Sequence, residues 1–142
     1  MSINGRKKRP TWIPVVAGII AKEGKVLLGE RPEGSSLAGV WEFPGGKLEA
    51  GELPEQALIR EFREEVGIII SSSEKFMMVK HDYPDRLVTL YVQLIHDHQG
   101  EITPMEGQAL KWVELEDLGS IDFLKGNQVI VKALLERKAK AD

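Results

Sequence analysis

The segment from Gly45 to Ile68, GGKLEAGELPEQALIREFREEVGI, can fold in few ways. Pro54 suits a first helical turn, where its missing N–H leaves no partner unsatisfied, and Gly67 suits the left-handed stop that ends a helix. Between them Leu58, Phe62 and Val66 recur every four residues, which predicts a helix with one apolar stripe laid on a core. Another side of that helix is acidic. Residues three and four apart are neighbours on a helix, so Glu61, Glu64 and Glu65 converge. Like charges at this spacing cost about 0.2–0.5 kcal/mol per pair on an exposed helix, and more where solvent screens them less. Pairs such as Arg60–Glu64, with Arg63 nearby, relieve part of that, as on any solvated charged face. The context points further. Gly45, Gly46, Lys47 and Glu52 place a loop with free backbone groups and one more acid directly before the helix. Oxygen donors with no cysteine and few histidines suit a hard cation, Mg2+ or Mn2+. Such a cation joins carboxylates to substrate phosphates and relieves the repulsion.

The rest of the chain reads as a frame for that helix. Trp12 to Ile20 is rich in β-branched residues and predicts a buried strand, with KVLLGER as its hairpin partner after Glu23 and Gly24. FMMVK predicts a short strand. In LVTLYVQLI, Val88, Leu90, Val92 and Leu94 alternate with Thr89, Tyr91 and Gln93, the pattern of a half-buried strand. ALKWVEL continues it. Asn127 precedes QVIVKALLERKAKA, an apolar stripe with basic last turns, which predicts a helix capped by Asn127. The order of strands, helix, strands, helix implies an α+β domain, an α/β/α sandwich around a mixed sheet.

The 142 residues fit one domain over 11–142, with residues 1–10 as a flexible basic arm. RKKRP followed by TWIPVVAGIIA imitates a signal peptide. Pro14 and Gly18 interrupt the apolar run, and no small-residue cleavage pattern follows, so neither a leader nor a membrane span is expected. The absence of cysteine excludes disulfides and thiolate metal sites and points to the cytoplasm. Formal net charge is −3 with the four cations Arg6, Lys7, Lys8 and Arg9, and −7 without them. That acidity argues against duplex DNA as a partner, and an anionic ligand would need a bridging cation. His81, His96 and His98 read as surface residues rather than a zinc set.

Gly46, five residues, Glu52, seven residues, then Arg60-Glu61-Phe62-Arg63-Glu64-Glu65-Val66-Gly67-Ile68 matches the Nudix box throughout. Together with YPDRLVTLY and MEGQALKW the chain resembles the MutT branch of the Nudix hydrolases, from Arg31 to Asn127. The resemblance implies a hydrolase in which water attacks phosphorus with Mg2+ or Mn2+ bound. It assigns metal ligation to Glu61, Glu64, Glu65, Glu106 and the Gly45 carbonyl. Arg60 would orient the carboxylates, and Glu61 or Glu106 would take the proton. It places Lys47 and Arg31 near phosphates, Phe43, Tyr83 and Arg86 around the base, and Asn127 at the guanine edge. Ordinary roles stand beside these: Asn127 as helix cap, Arg31 paired with Glu33, Phe43 and Tyr83 as core, Glu52 paired with Arg60 or capping the helix. Glu30 beside Arg31, and Tyr83 where the branch has phenylalanine, are departures.

The implied substrate is (d)GTP or 8-oxo-dGTP, released as monophosphate and pyrophosphate by a monomer or homodimer. The alternative partner is a triphosphorylated RNA 5′ end tracked by the basic arm. A nucleoside diphosphate sugar hydrolase and a non-catalytic nucleotide sensor rank below these.

Overall fold

The computed structural model describes residues 11–31, 33–34 and 37–141. The expected basic arm at residues 1–10 lies outside them. In chain order the elements are β1 (Trp12–Lys22), β2 (Lys25–Glu30), β3 (Trp41–Glu42), β4 (Gly45–Lys47), α1 (Pro54–Val66), β5 (Ile69–Tyr83), β6 (Arg86–Gln99), β7 (Leu110–Glu114), a 3-10 turn (Leu115–Ser120) and α2 (Lys125–Ala141). Among the described residues no helix is long and apolar enough to cross a membrane.

β1 is the axis of a mixed sheet. It pairs in parallel with β6, Trp12 opposite Leu87 through Ile20 opposite Ile95, and antiparallel with β4, Val15 opposite Lys47. β6 pairs antiparallel with β5, giving the order β4-β1-β6-β5. The far end of β1 turns into β2, which carries β3 on one side and β7 on the other. The period-2 geometry of β1 splits its side chains between two cores. Val16 and Ile20 face α1 with Leu58, Phe62 and Val66, all buried. Ala17 and Ile19 face α2 with Ile130, Val131 and Leu134. The result is the α/β/α sandwich around a mixed sheet that the element order implied.

Three local expectations change. The strand read from FMMVK is only the middle of the fifteen-residue β5. Its serines and charges carry no apolar alternation, yet pairing with β6 holds them extended through bulges near Ser72 and Met77. β6 is buried on both faces rather than one: Thr89 and Gln93 are 7% and 3% exposed, and Gln93 Oε1 accepts a hydrogen bond from the Ser73 hydroxyl at 3.0 Å. α2 begins at Lys125, so Asn127 sits inside the first turn and does not cap it.

α1 lies so close to β1 that a Cβ on Gly18 would come within 2.7 Å of the Phe62 ring and of Ile95 Cδ1. Gly18→Ala should therefore lower stability by about 1–3 kcal/mol, the usual penalty of overpacking. Urea titration reads this as a lower midpoint at an unchanged slope. An unchanged midpoint would mean the helix stands further from the sheet.

Candidate active site

The site begins with one arginine. Arg60, near the middle of α1, donates from Nε and an Nη to Glu52 at 2.8 and 2.9 Å. It donates to Glu61 at 2.9 Å, to Glu64 at 3.2 Å and to the Lys47 carbonyl at 3.0 Å. Glu49 stands 3.6 Å away. One planar cation thus ties the loop before α1 to the acidic face of the helix, which a guanidinium fork does and a lysine ammonium does not. Glu52 also accepts the Glu49 N–H at 2.7 Å. The Arg60 hydrogen bonds, with that backbone donor second, hold its carboxyl down to about 2. Glu52 does not cap α1. Leu53 is the cap residue, and its N–H is taken by the Gln56 side chain at 2.9 Å.

Gly45, Gly46 and Lys47, expected as a loop with free backbone groups, instead form β4, paired with β1, and glycine brings that strand onto the helix. A Cβ on Gly46 would lie 2.4 Å from the Glu61 carboxyl carbon, and one on Gly45 would lie 1.9 Å from the Val16 carbonyl oxygen. Backbone closes the Gly45 position to any side chain, whereas a side chain at Gly46 would displace the Glu61 carboxylate. Glu65, one turn on from Glu61, points inward: its Oε2 is buried with no hydrogen-bond partner. Burial, then the hydrogen-bonded Glu61 carboxyl and the charges of Glu61, Glu106 and Glu42, push the Glu65 carboxyl up to about 9.

Glu106 reaches this place on a loop docked to the end of α1. Thr103 N–H donates to the Val66 carbonyl at 2.8 Å and Met105 N–H to the Glu65 carbonyl at 3.0 Å. These are carbonyls that a helix end leaves unpaired. Gln108 completes the clamp. Its Nε2 donates to the Glu65 carbonyl at 2.9 Å and its Oε1 accepts the Glu106 N–H at 3.0 Å. Glu42, Glu65, Glu106 and Gln108 line a recess of about 60 Å³.

Glu61, Glu65 and Glu106 are thus brought to one region, while Glu64 sits at the outer edge on Arg60 with its side chain 48% exposed. Among the described residues no three His, Asp or Glu side chains are already arranged to hold an ion. Arg60 engages Glu61 and Glu64, and Glu65 keeps its proton near neutrality. The donor set nevertheless fits a hard divalent cation. It is all oxygen, and it includes a buried acceptor with nothing to accept from.

Beside this cluster opens a cleft of about 410 Å³, and Arg31, Phe43, Lys47, Tyr83, Arg86 and Asn127 all line it. Arg31 donates to Glu42 at 3.3 Å, a partner the sequence did not suggest. Burial raises the Glu42 carboxyl against the lowering influence of Arg31 and Arg86. Asn127 is 4% exposed, and its Oδ1 accepts the Phe43 N–H at 3.0 Å. The Phe43 ring stacks on Phe123 at 5.7 Å and belongs to the core. Arg86 lies over the Tyr83 ring at 4.8 Å and donates to Asp85 at 2.9 Å. Sequence reasoning missed Glu42, Asp85 and Gln108. Asp85 and Gln108 stood within the quoted segments YPDRLVTLY and MEGQALKW, and only their tertiary neighbours give them meaning.

The histidines do not gather. His96 pairs with Glu74 at 2.7 Å on the surface, His81 packs on Tyr83 at 4.4 Å, and His98 has its Nδ1 buried without a partner.

A carboxylate helix laid on a glycine strand and opening on a ligand-sized cleft suits a phosphate-bearing ligand joined to the protein through a divalent cation. The chain belongs to the NUDIX domain family, whose profile matches residues 15–133. It is 40% identical over 124 residues to an 8-oxo-dGTP diphosphatase of Haemophilus influenzae, covering 87% of this chain and 91% of the relative. It is 42% identical over 127 residues to a CTP pyrophosphohydrolase of Escherichia coli, covering 89% and 94%. The solution structure of the E. coli ORF135 protein superposes with a TM-score of 0.82 at 35% identity, covering 92% of this chain and 94% of that one.

Glu65 gives the metal-free protein a distinct pH response. Its carboxyl is raised from 4.5 to about 9 by folding. Between those values the unfolded chain ionises and the folded one does not, so stability is lost as pH rises. Glu42 acts in the same sense, whereas the lowered Glu52 changes stability only at more acid pH. In chelator, Tm should fall from pH 5 to 9, and Mg2+ should raise it more at pH 8 than at pH 5. Glu65→Gln should shrink both effects. Parallel curves for the two proteins would remove Glu65 as the cause.

Proposed function

We propose that the protein is a divalent-cation-dependent nucleoside triphosphate pyrophosphohydrolase that turns (d)GTP or 8-oxo-dGTP and water into the monophosphate and pyrophosphate. The observation that carries this reading is the continuity of the two halves of the site. Gly45, Gly46 and Lys47 line the same cleft as Asn127 and Tyr83, and Gly46 is also the residue against which the Glu61 carboxylate lies. A base held at the Asn127 end leaves its phosphates at the carboxylate end. The cleft volume of about 410 Å³ falls in the usual range of small-ligand pockets.

Glu61, Glu64, Glu65, Glu106 and the Gly45 carbonyl would hold the cation. When bound, Mg2+ or Mn2+ supplies polarised phosphoryl oxygens and a water acidic near neutral pH. The rest of the work falls to the chain's own groups. Arg60 orients the Glu61 and Glu64 carboxylates. A Glu61 or Glu106 carboxylate oxygen takes the proton of the attacking water. The water oxygen bonds to phosphorus, the bridging P–O bond between the α and β phosphates breaks, and pyrophosphate leaves. Lys47 and Arg31 balance negative charge on the phosphates. Phe43 fixes Asn127 through its N–H, which leaves the amide nitrogen to donate to an acceptor on the base.

A second reading replaces the purine by cytosine. It is favoured by the CTP pyrophosphohydrolase relative at 42% identity, and by the fact that an amide donor suits the O2 of a pyrimidine as well as the O6 of a purine.

A panel of dGTP, 8-oxo-dGTP, GTP, CTP, GDP-mannose and triphosphorylated RNA, ranked by kcat/KM with pyrophosphate told from phosphate, decides between these readings. Glu61→Gln and Glu65→Gln should each lower kcat by about 100-fold or more. Asn127→Ala should raise KM for the preferred base by about tenfold and flatten the ranking. Wild-type inactivity on every triphosphate, or full turnover by both glutamine variants, would overturn the proposal.

A further inference from the structure

The base cleft is held together by a contact that the proposed chemistry does not use. Tyr83 ends β5 at the hairpin tip. Its hydroxyl is buried against the start of α2, where it accepts the Gly126 N–H at 2.8 Å. The first N–H groups of a helix have no partner within the helix, and a side chain just before it usually supplies one. Here the residue before α2 is Leu124, whose side chain cannot accept, and a tyrosine from another element takes that place. The fit is tight. A Cβ on Gly126 would lie 2.5 Å from the Tyr83 hydroxyl oxygen and 3.4 Å from the ring carbon that bears it.

The residue after Gly126 is Asn127, whose Oδ1 accepts the Phe43 N–H. The entry to α2 is also tied to β3, since Trp41 N–H donates to the Asp122 carbonyl and Leu124 N–H to the Trp41 carbonyl, both at 2.9 Å. The first turn of α2 is therefore anchored from two sides of the cleft, by β3 through backbone and by β5 through the tyrosine hydroxyl. Arg86, over the Tyr83 ring at 4.8 Å, holds the ring in place.

We propose that the Tyr83 hydroxyl and Gly126 form a matched pair that sets where Asn127 stands in the cleft, which makes Tyr83 a positioning residue for nucleoside recognition. This rests on the base-reading role proposed for Asn127. The base lies away from the phosphorus under attack, so loosening this pair weakens the ground state and the transition state alike. The change then falls on KM rather than kcat.

The test compares the full chain with Tyr83→Phe, Gly126→Ala and the double variant. Tyr83→Phe should raise KM for the preferred triphosphate about fivefold, the factor carried by one neutral hydrogen bond. Its kcat should stay within about twofold. Gly126→Ala should raise KM about tenfold or more, because its methyl group collides with the hydroxyl. The double variant should return to the Tyr83→Phe level, since the nearest atom is then the ring carbon at 3.4 Å. Amide exchange at Gly126 should be faster in Tyr83→Phe than in wild type. Equal damage by Gly126→Ala in both backgrounds would overturn the pairing. Faster exchange in Tyr83→Phe with an unchanged KM would reduce the contact to a purely structural cap and overturn the positioning role. Wild-type inactivity on all triphosphates would instead strike the pyrophosphohydrolase reading, and exchange at Gly126 would still judge the pair: faster supports it, unchanged overturns it.

Discussion

The Arg60 guanidinium is the contact on which the acidic face depends. Glu52, Glu61 and Glu64 all take hydrogen bonds from it, and so does the Lys47 carbonyl. Without a cation at that point the loop and the helix would present like charges to each other across a gap that Gly46 has narrowed. Five donors in a rigid fork give the geometry as well as the charge. Its effect is visible at both ends: Glu52 is held down to about 2, while Arg60 itself is held more firmly protonated than usual. The loop is therefore placed by an ion pair that stays charged throughout the physiological range.

Arg60 satisfies the outer carboxylates and leaves the inner one unsatisfied. Glu65 has a buried oxygen without a partner, and its neighbours are acids. A chain selected only for stability would place a leucine or a paired group there, because a buried carboxylate facing others is a standing destabilisation. Local frustration of this kind is what functional sites retain. The Glu106 loop sharpens it. Gln108 spends both ends of its amide on fastening that loop to the last turn of α1, which keeps a further carboxylate near Glu65.

How much of this was legible in the sequence depends on whether the governing contacts are local. α1 was legible at both ends, since Pro54, the four-residue apolar spacing and Gly67 are all helix-internal signals, and Gly67 takes the left-handed φ of 74° that such a stop requires. The sandwich followed from the order of elements. The length of β5 was not legible, because the outer part of that strand is held by pairing with β6 and not by its own residues. The burial of Thr89 and Gln93 escaped notice for a related reason. Alternation reports polarity, and a central strand can bury polar groups that bond across the sheet, as Gln93 does with Ser73. The acidic cluster could be read from helical spacing, but the partners of Glu42 and the clamp by Gln108 come from loops that the sequence leaves far apart.

The same division separates chemistry from specificity. The carboxylate end of the site draws mainly on one continuous segment, Gly45 to Glu65, with Glu106 the distant addition. The far end of the cleft is assembled from segments with no local tie: Phe43 meets Asn127 across 84 positions, and Tyr83 meets Gly126 across 43. A motif can therefore preserve the reaction while the cleft changes its ligand through a few tertiary contacts. Overall identity averages over the shared scaffold and does not report where a handful of side chains stand at the far wall of the cleft. In this chain that wall is pinned through a tyrosine hydroxyl and a backbone N–H at the start of α2, a contact that lies wholly outside the acidic motif.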